Sequence, residues 1–152
     1  MYKRLSLIIL VVLFAIFAVS AQAPANPVRW RAFASTEGAA GTLTVRALVS
    51  DGWHLYGLEL PKGGPKATKI DLTGSTGVEF TGDIVPTRRP LTVDDPMFGM
   101  KLTWWDSKVD FTAPFKVTDA SNAQIKVSVT YMTCDGTTCR PPKTDIITIP
   151  VK

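Results

Sequence analysis

The chain holds two cysteines, Cys134 and Cys139, and these are its only thiols. They lie in the segment Tyr131-Met132-Thr133-Cys134-Asp135-Gly136-Thr137-Thr138-Cys139-Arg140-Pro141-Pro142. Asp135-Gly136 is a turn dipeptide. Opposed positions of a hairpin have Cβ atoms about 4.5–5.5 Å apart, and a disulfide asks for about 3.5–4.5 Å. A bond across this turn is therefore feasible. As a staple it would contribute little: a loop of about six residues gives roughly 2 kcal/mol, against roughly 4.7 kcal/mol for one of about 100 residues. Such a bond suits reversible opening, since strand pairing holds the hairpin in either state. Spacing alone fits a bridge that merely pins a surface loop equally well. A zinc site would need more ligands than two cysteines and a distant His54. His54 is the only histidine, and its Trp/Leu/Tyr surroundings suit a structural role better than a cysteine-protease base.

The elements that must position these sulfurs read as β-strands. Short apolar or alternating runs are broken by Gly, Pro, Asn and Asp, and no sustained helical period occurs. Expected strands are Val28 to Ala34, Leu43 to Val49, Trp53 to Leu58, Ala67 to Leu72 and Val78 to Val85. Trp53 to Leu58 is expected to pair with the strand before it across Asp51-Gly52. Met100 to Trp105 and Val109 to Phe115 are expected to form a hairpin about Asp106-Ser107-Lys108. Ile125, Val127, Val129 and Tyr131 alternate with polar residues, as do Ile147, Ile149 and Val151. Pro150 must lie at an edge or a strand end. Some eight or nine short strands, broken by frequent turns, predict an all-β antiparallel sandwich or barrel. Trp104 and Trp105 must face opposite sides, one into the core and the other toward an edge or partner. Tyr131 fits a place bordering the cysteines and a place in the core equally.

The 152 residues suit one domain. Lys3 and Arg4, the apolar run Leu5 to Val19, and Ala18-Val19-Ser20-Ala21 read as a cleavable export signal, residues 1–21. The run is shorter than the ~20 residues of a membrane span, so no stable insertion is expected after cleavage. The mature domain, residues 22–152, is expected outside the cytosol, where disulfides persist. Losing Lys3 and Arg4 takes the formal charge from +4 to +2 (4 − 2). That charge, without a dense Lys/Arg cluster, gives no nucleic-acid footprint. Lys62, Lys66 and Lys69 read as a solvated loop.

The stretch Val129 to Cys134, followed by Cys139-Arg140-Pro141-Pro142-Lys143-Thr144, resembles the N-terminal periplasmic domain of the disulfide reductase DsbD. Gly52-Trp53-His54-Leu55-Tyr56 is similar to an early strand of that family. Asp95-Pro96-Met97-Phe98-Gly99 resembles its cap loop. The resemblance implies an immunoglobulin-like redox domain that takes electrons from one thioredoxin-like protein and passes them to others. It implies that Cys139 forms the mixed disulfide and Cys134 resolves it. It also implies that Asp95, Met97, Phe98 and Gly99 belong to a shielding loop, with Phe98 as the cap residue and Met97 as the alternative. Tyr131, Asp135 and Arg140 are expected neighbours of the site. The family's reductases continue into further domains, so the donor is expected to be a separate protein, with a membrane electron transporter as one candidate.

On this reading the chain is a thiol-disulfide oxidoreductase that needs no metal and no organic cofactor. Arg140 would favour a thiolate beside it, and Asp135 would disfavour one. No general base is evident. Two other functions compete. One is an exported immunoglobulin-like binding module with an inert loop disulfide. The other is a metal- or haem-delivery helper, against which the lack of a Met/His cluster counts.

Overall fold

The computed structural model describes residues 25–152. The expected export signal lies outside the described residues. Among those described there are eleven strands and no helix. The strands are β1 (Val28–Glu37), β2 (Ala40–Val49), β3 (His54–Tyr56), β4 (Lys69–Asp71), β5 (Val78–Phe80), β6 (Val85–Pro86), β7 (Leu91–Asp95), β8 (Met100–Trp105), β9 (Val109–Val117), β10 (Gln124–Cys134) and β11 (Cys139–Pro150).

They form two antiparallel sheets, an immunoglobulin-like sandwich. One runs β1-β2-β9-β5, with β6 also on β9; the other runs β11-β10-β3-β8-β7, with β4 also on β10. Alternation puts Leu43, Val45 and Ala47 of β2, Phe111 and Phe115 of β9, and Ile125, Val127 and Val129 of β10 into one core between the sheets. Trp105 meets Phe111 there edge to face, 5.2 Å between ring centres. Trp105 is thus the core member of the tryptophan pair, and its indole N–H donates to the Arg88 carbonyl.

Two expected hairpins are corrected. β3 does not pair with β2: β2 already has β1 on one edge and β9 on the other. The Asp51-Gly52 turn, with Gly52 at φ +77°, instead carries the chain into the second sheet, where β3 lies between β10 and β8. Likewise β8 and β9 lie in different sheets, so Asp106-Ser107-Lys108 is a corner between layers. The hairpin partner of β8 is β7, a strand with no counterpart in the sequence reading. Val78 to Val85 is two short strands, β5 and β6. The β10–β11 hairpin is as expected, with Pro150 at the end of an edge strand.

Candidate functional site

In β10 the odd-numbered residues Ile125 to Tyr131 face the core, so Cys134 belongs to the outward set with Ser128, Thr130 and Met132. It is nevertheless completely buried. What covers it is a second apolar cluster on the outer face of the six-stranded sheet. Tyr56, Leu102 and Cys134 are its buried centre, and Leu60, Phe98, Met100, Trp104, Met132 and Cys139 pack round them.

Cys139 reaches that face through a register shift. From Gln124↔Pro150 to Tyr131↔Lys143 the β10–β11 ladder keeps one register. Continued unchanged, it would set Cys134 opposite Arg140. Instead Thr133 pairs with Arg140 and Cys134 with Cys139. The extra residue falls at Pro141-Pro142, where two residues of β11 oppose Met132. A bulge leaves ladder groups unpaired, and prolines, which have no N–H, suit that place on an edge strand. The bulge reverses the parity of β11, turning Cys139 onto the face of Cys134. The pair is disulfide-bonded, with Cα atoms 4.1 Å apart. Cys139 is partly exposed and Cys134 is not.

The loop between them is built for tightness. The Asp135 carboxylate accepts from the Thr137 and Thr138 amides and the Thr137 hydroxyl, bonds that lower its pKa. Gly136 takes φ +90°, a conformation that favours glycine. Arg140 lies over the Trp53 ring, 5.5 Å from its centre.

The segment Asp95 to Gly99, between β7 and β8, folds back over the same face. Asp95 is 2% exposed. Its Oδ1 accepts from the Met97 and Phe98 amides, and its Oδ2 accepts from the Tyr56 hydroxyl at 2.8 Å. Burial, with the Asp95 bond and charge, raises the pKa of the Tyr56 phenol, so it stays protonated and donating. Gly99, at φ +62°, closes the turn with its amide on the Asp95 carbonyl. The Phe98 ring stands edge-on to Tyr56 within the cysteine cluster, while Met97 is exposed. Tyr56→Phe would leave a buried carboxylate oxygen without its donor, at a cost of about 1–3 kcal/mol. Denaturant unfolding should show that loss, and unchanged stability would contradict the anchoring role.

Of the expected site residues, Cys134, Cys139 and Phe98 share one cluster, and Asp95 and Gly99 shape the turn beside it. Asp135 and Arg140 flank the sulfurs in sequence and structure. Tyr131 sits in the main core, donating to Asp145. His54, distant from the cysteines in sequence, is the β3 residue paired directly with Cys134. Tyr56 and Trp104 also join the site; the signal was parity, since His54 and Tyr56 must share a face. Among the described residues, no group of three or more His, Cys, Asp or Glu side chains could hold a metal ion.

A two-sheet sandwich carrying a partly exposed cross-strand disulfide under a folded-back loop has the makings of a thiol–disulfide exchange module. The comparisons agree. The sequence profile of the family described as thiol:disulfide interchange protein DsbD, N-terminal, matches residues 22–150, and the chain belongs to that family. No curated protein matches it. Among solved structures it is similar to the reduced DsbD N-terminal domain of Neisseria meningitidis, with a TM-score of 0.60 and 17% identity over 88% of this chain and 93% of that one. It is also similar to the N-terminal periplasmic domain of ScsB from Proteus mirabilis, with a TM-score of 0.60 and 20% identity over 85% of this chain and 49% of that one. A third is the complex of the DsbD and PilB N-terminal domains from Neisseria meningitidis, with a TM-score of 0.53 and 17% identity over 89% and 91%. At such identities the likeness concerns the fold.

Proposed function

We propose that this chain is an exported, periplasmic electron carrier, a thiol-disulfide oxidoreductase working between thioredoxin-like proteins through Cys134 and Cys139. The observation that carries the reading is the placement of the disulfide: outside the main core, on a hairpin whose strands pair independently of it, with one sulfur partly exposed. Opening it leaves the sandwich contacts in place.

A partner thiolate attacks the Cys139 sulfur, the more accessible of the two. The new S–S bond forms as the Cys139–Cys134 bond breaks, and Cys134 leaves with the electron pair. The partner's second thiolate then attacks its own sulfur in the mixed disulfide and releases Cys139. The carrier has gained two electrons and two protons, and the partner is a disulfide. Running the sequence backward delivers the electrons to an oxidised client. Support for a protein partner comes from the related DsbD N-terminal domain, solved in complex with the PilB N-terminal domain.

Phe98, held by the Asp95 turn, is the shield in this reading. A dithiol in an oxidising compartment is open to small oxidants, and an aromatic ring over the sulfurs excludes them until a docking partner moves the loop. The test is direct exchange. The oxidised chain is mixed with a reduced thioredoxin-like protein, the thiols are alkylated, and mass is measured. Transfer of two electrons to Cys134 and Cys139 is expected; a disulfide that stays intact would contradict the reading.

A further inference from the structure

The exchange step places a demand on Cys134. Its sulfur must leave as an anion, yet it is fully buried in an apolar cluster. Desolvation disfavours a thiolate there, and a poorly stabilised leaving thiolate departs slowly. Asp135, one residue along the chain, adds a negative charge nearby.

The strand register supplies a neighbour. Cys134 is opposed by Cys139 on β11 and by His54 on β3. Opposed residues project from the same face with Cβ atoms about 4.5–5.5 Å apart, so the three side chains form a row across three strands. His54 is 7% exposed. Its ring stacks on Trp104, with centres 4.1 Å apart, and stands edge-on to Tyr56 at 5.0 Å. Its Nε2 is buried with no hydrogen-bond partner. Buried polar atoms are nearly always partnered. An unpartnered one next to a bond that must open is placed to take a partner when that bond opens.

We propose that His54 is a catalytic hydrogen-bond donor to the Cys134 sulfur, its Nε2–H stabilising the thiolate that forms when the disulfide opens. The inference rests on the exchange reading and deepens it. In the step, the electron pair of the broken S–S bond passes to Cys134, and the Nε2 proton is shared with that sulfur without leaving the nitrogen. The protons that complete the dithiol come from the partner's thiols by way of solvent. The donor is neutral imidazole. Burial lowers the His54 pKa, and the carboxylates of Asp95 in the cap turn, Asp135 in the hairpin loop and Asp106 after β8 only partly oppose that. The Tyr56 phenol beside it is protonated. These carboxylates all disfavour a second anion, so a donor at this point matters the more.

The test compares His54→Phe, which keeps a flat ring and removes the donor, with His54→Gln, which keeps an N–H. In a Cys139→Ser background Cys134 is the sole thiol, and ultraviolet thiolate absorbance against pH gives its pKa. The Phe variant should titrate about one unit higher, and in the cysteine-intact chain its disulfide should open about three- to fivefold more slowly in dithiothreitol, since only part of the thiolate charge has developed in the transition state. The Gln variant should stay near the parent. A Phe variant matching the parent, or a Gln variant matching Phe, would overturn the proposal. Nitrogen NMR of the unmutated, reduced chain tests it without a substitution. A neutral His54 with its proton on Nε2 is expected; a proton on Nδ1 alone, or a charged ring, would overturn it. If the parent exchanges with a thioredoxin-like protein while its His54→Phe variant is unchanged, only the histidine's role fails. A parent that exchanges with no thioredoxin-like protein overturns the exchange reading, and this inference with it.

Discussion

Cys134→Ser should accumulate as a covalent adduct with a thioredoxin-like protein that lacks its own resolving cysteine, and Cys139→Ser should not. In the first variant Cys139 attacks the partner's one active-site sulfur, presented as a mixed disulfide with a small thiol; the small thiolate leaves, and neither chain holds a second thiol to resolve the adduct. In the second variant the remaining thiol is Cys134, which is completely buried and cannot meet a partner's sulfur. The contrast should be near all-or-none, because attack needs a thiolate that can be approached along the S–S axis. Non-reducing electrophoresis with mass spectrometry of the adduct reads it. Equal trapping by both variants, or trapping by Cys134 alone, would reverse the assigned roles. Neither substitution should unfold the domain, since a loop of about six residues contributes only roughly 2 kcal/mol.

Phe98→Ala should make the reduced chain react with small disulfides about tenfold faster. Phe98 is half-buried, packed in the cluster that holds Cys134 and edge-on to Tyr56. Full burial of such a side chain is worth about 1.5–3 kcal/mol. A part of that, roughly 1.4 kcal/mol, is one factor of ten in the population of an open loop. Stopped-flow oxidation by oxidised glutathione measures it. The Met97→Ala variant is the internal control: Met97 is 44% exposed, and its loss should change the rate little. A Phe98→Ala rate equal to the parent's would remove the shield from the account, and a Met97→Ala rate above it would move the role to Met97.

What was legible in the sequence follows from what each signal encodes. Ile125, Val127, Val129 and Tyr131 announced β10 because one of its faces is core, and Asp135-Gly136 announced the turn after it. The Asp106-Ser107-Lys108 turn misled because a short polar turn reads the same whether it joins neighbours in one sheet or crosses between layers. β7, Leu91 to Asp95, went unseen because most of it is exposed at an edge, which weakens its alternation. In the site, the cysteines and the Asp95–Gly99 turn were found through local sequence. His54 was not, because it stands 80 residues before Cys134 (134 − 54) and only the β3–β10 register joins them. The function of Pro141-Pro142 was equally hidden: their bulge changes which face Cys139 occupies, and parity is countable only once the partner strand is known.

The most direct measurement is the equilibrium of the Cys134–Cys139 pair against a glutathione or thioredoxin redox buffer. A carrier working between thioredoxin-like proteins should sit between about −180 and −270 mV, in the range those proteins span. A potential below about −300 mV, where structural disulfides lie, would contradict the exchange function and leave a bridge that only pins a loop.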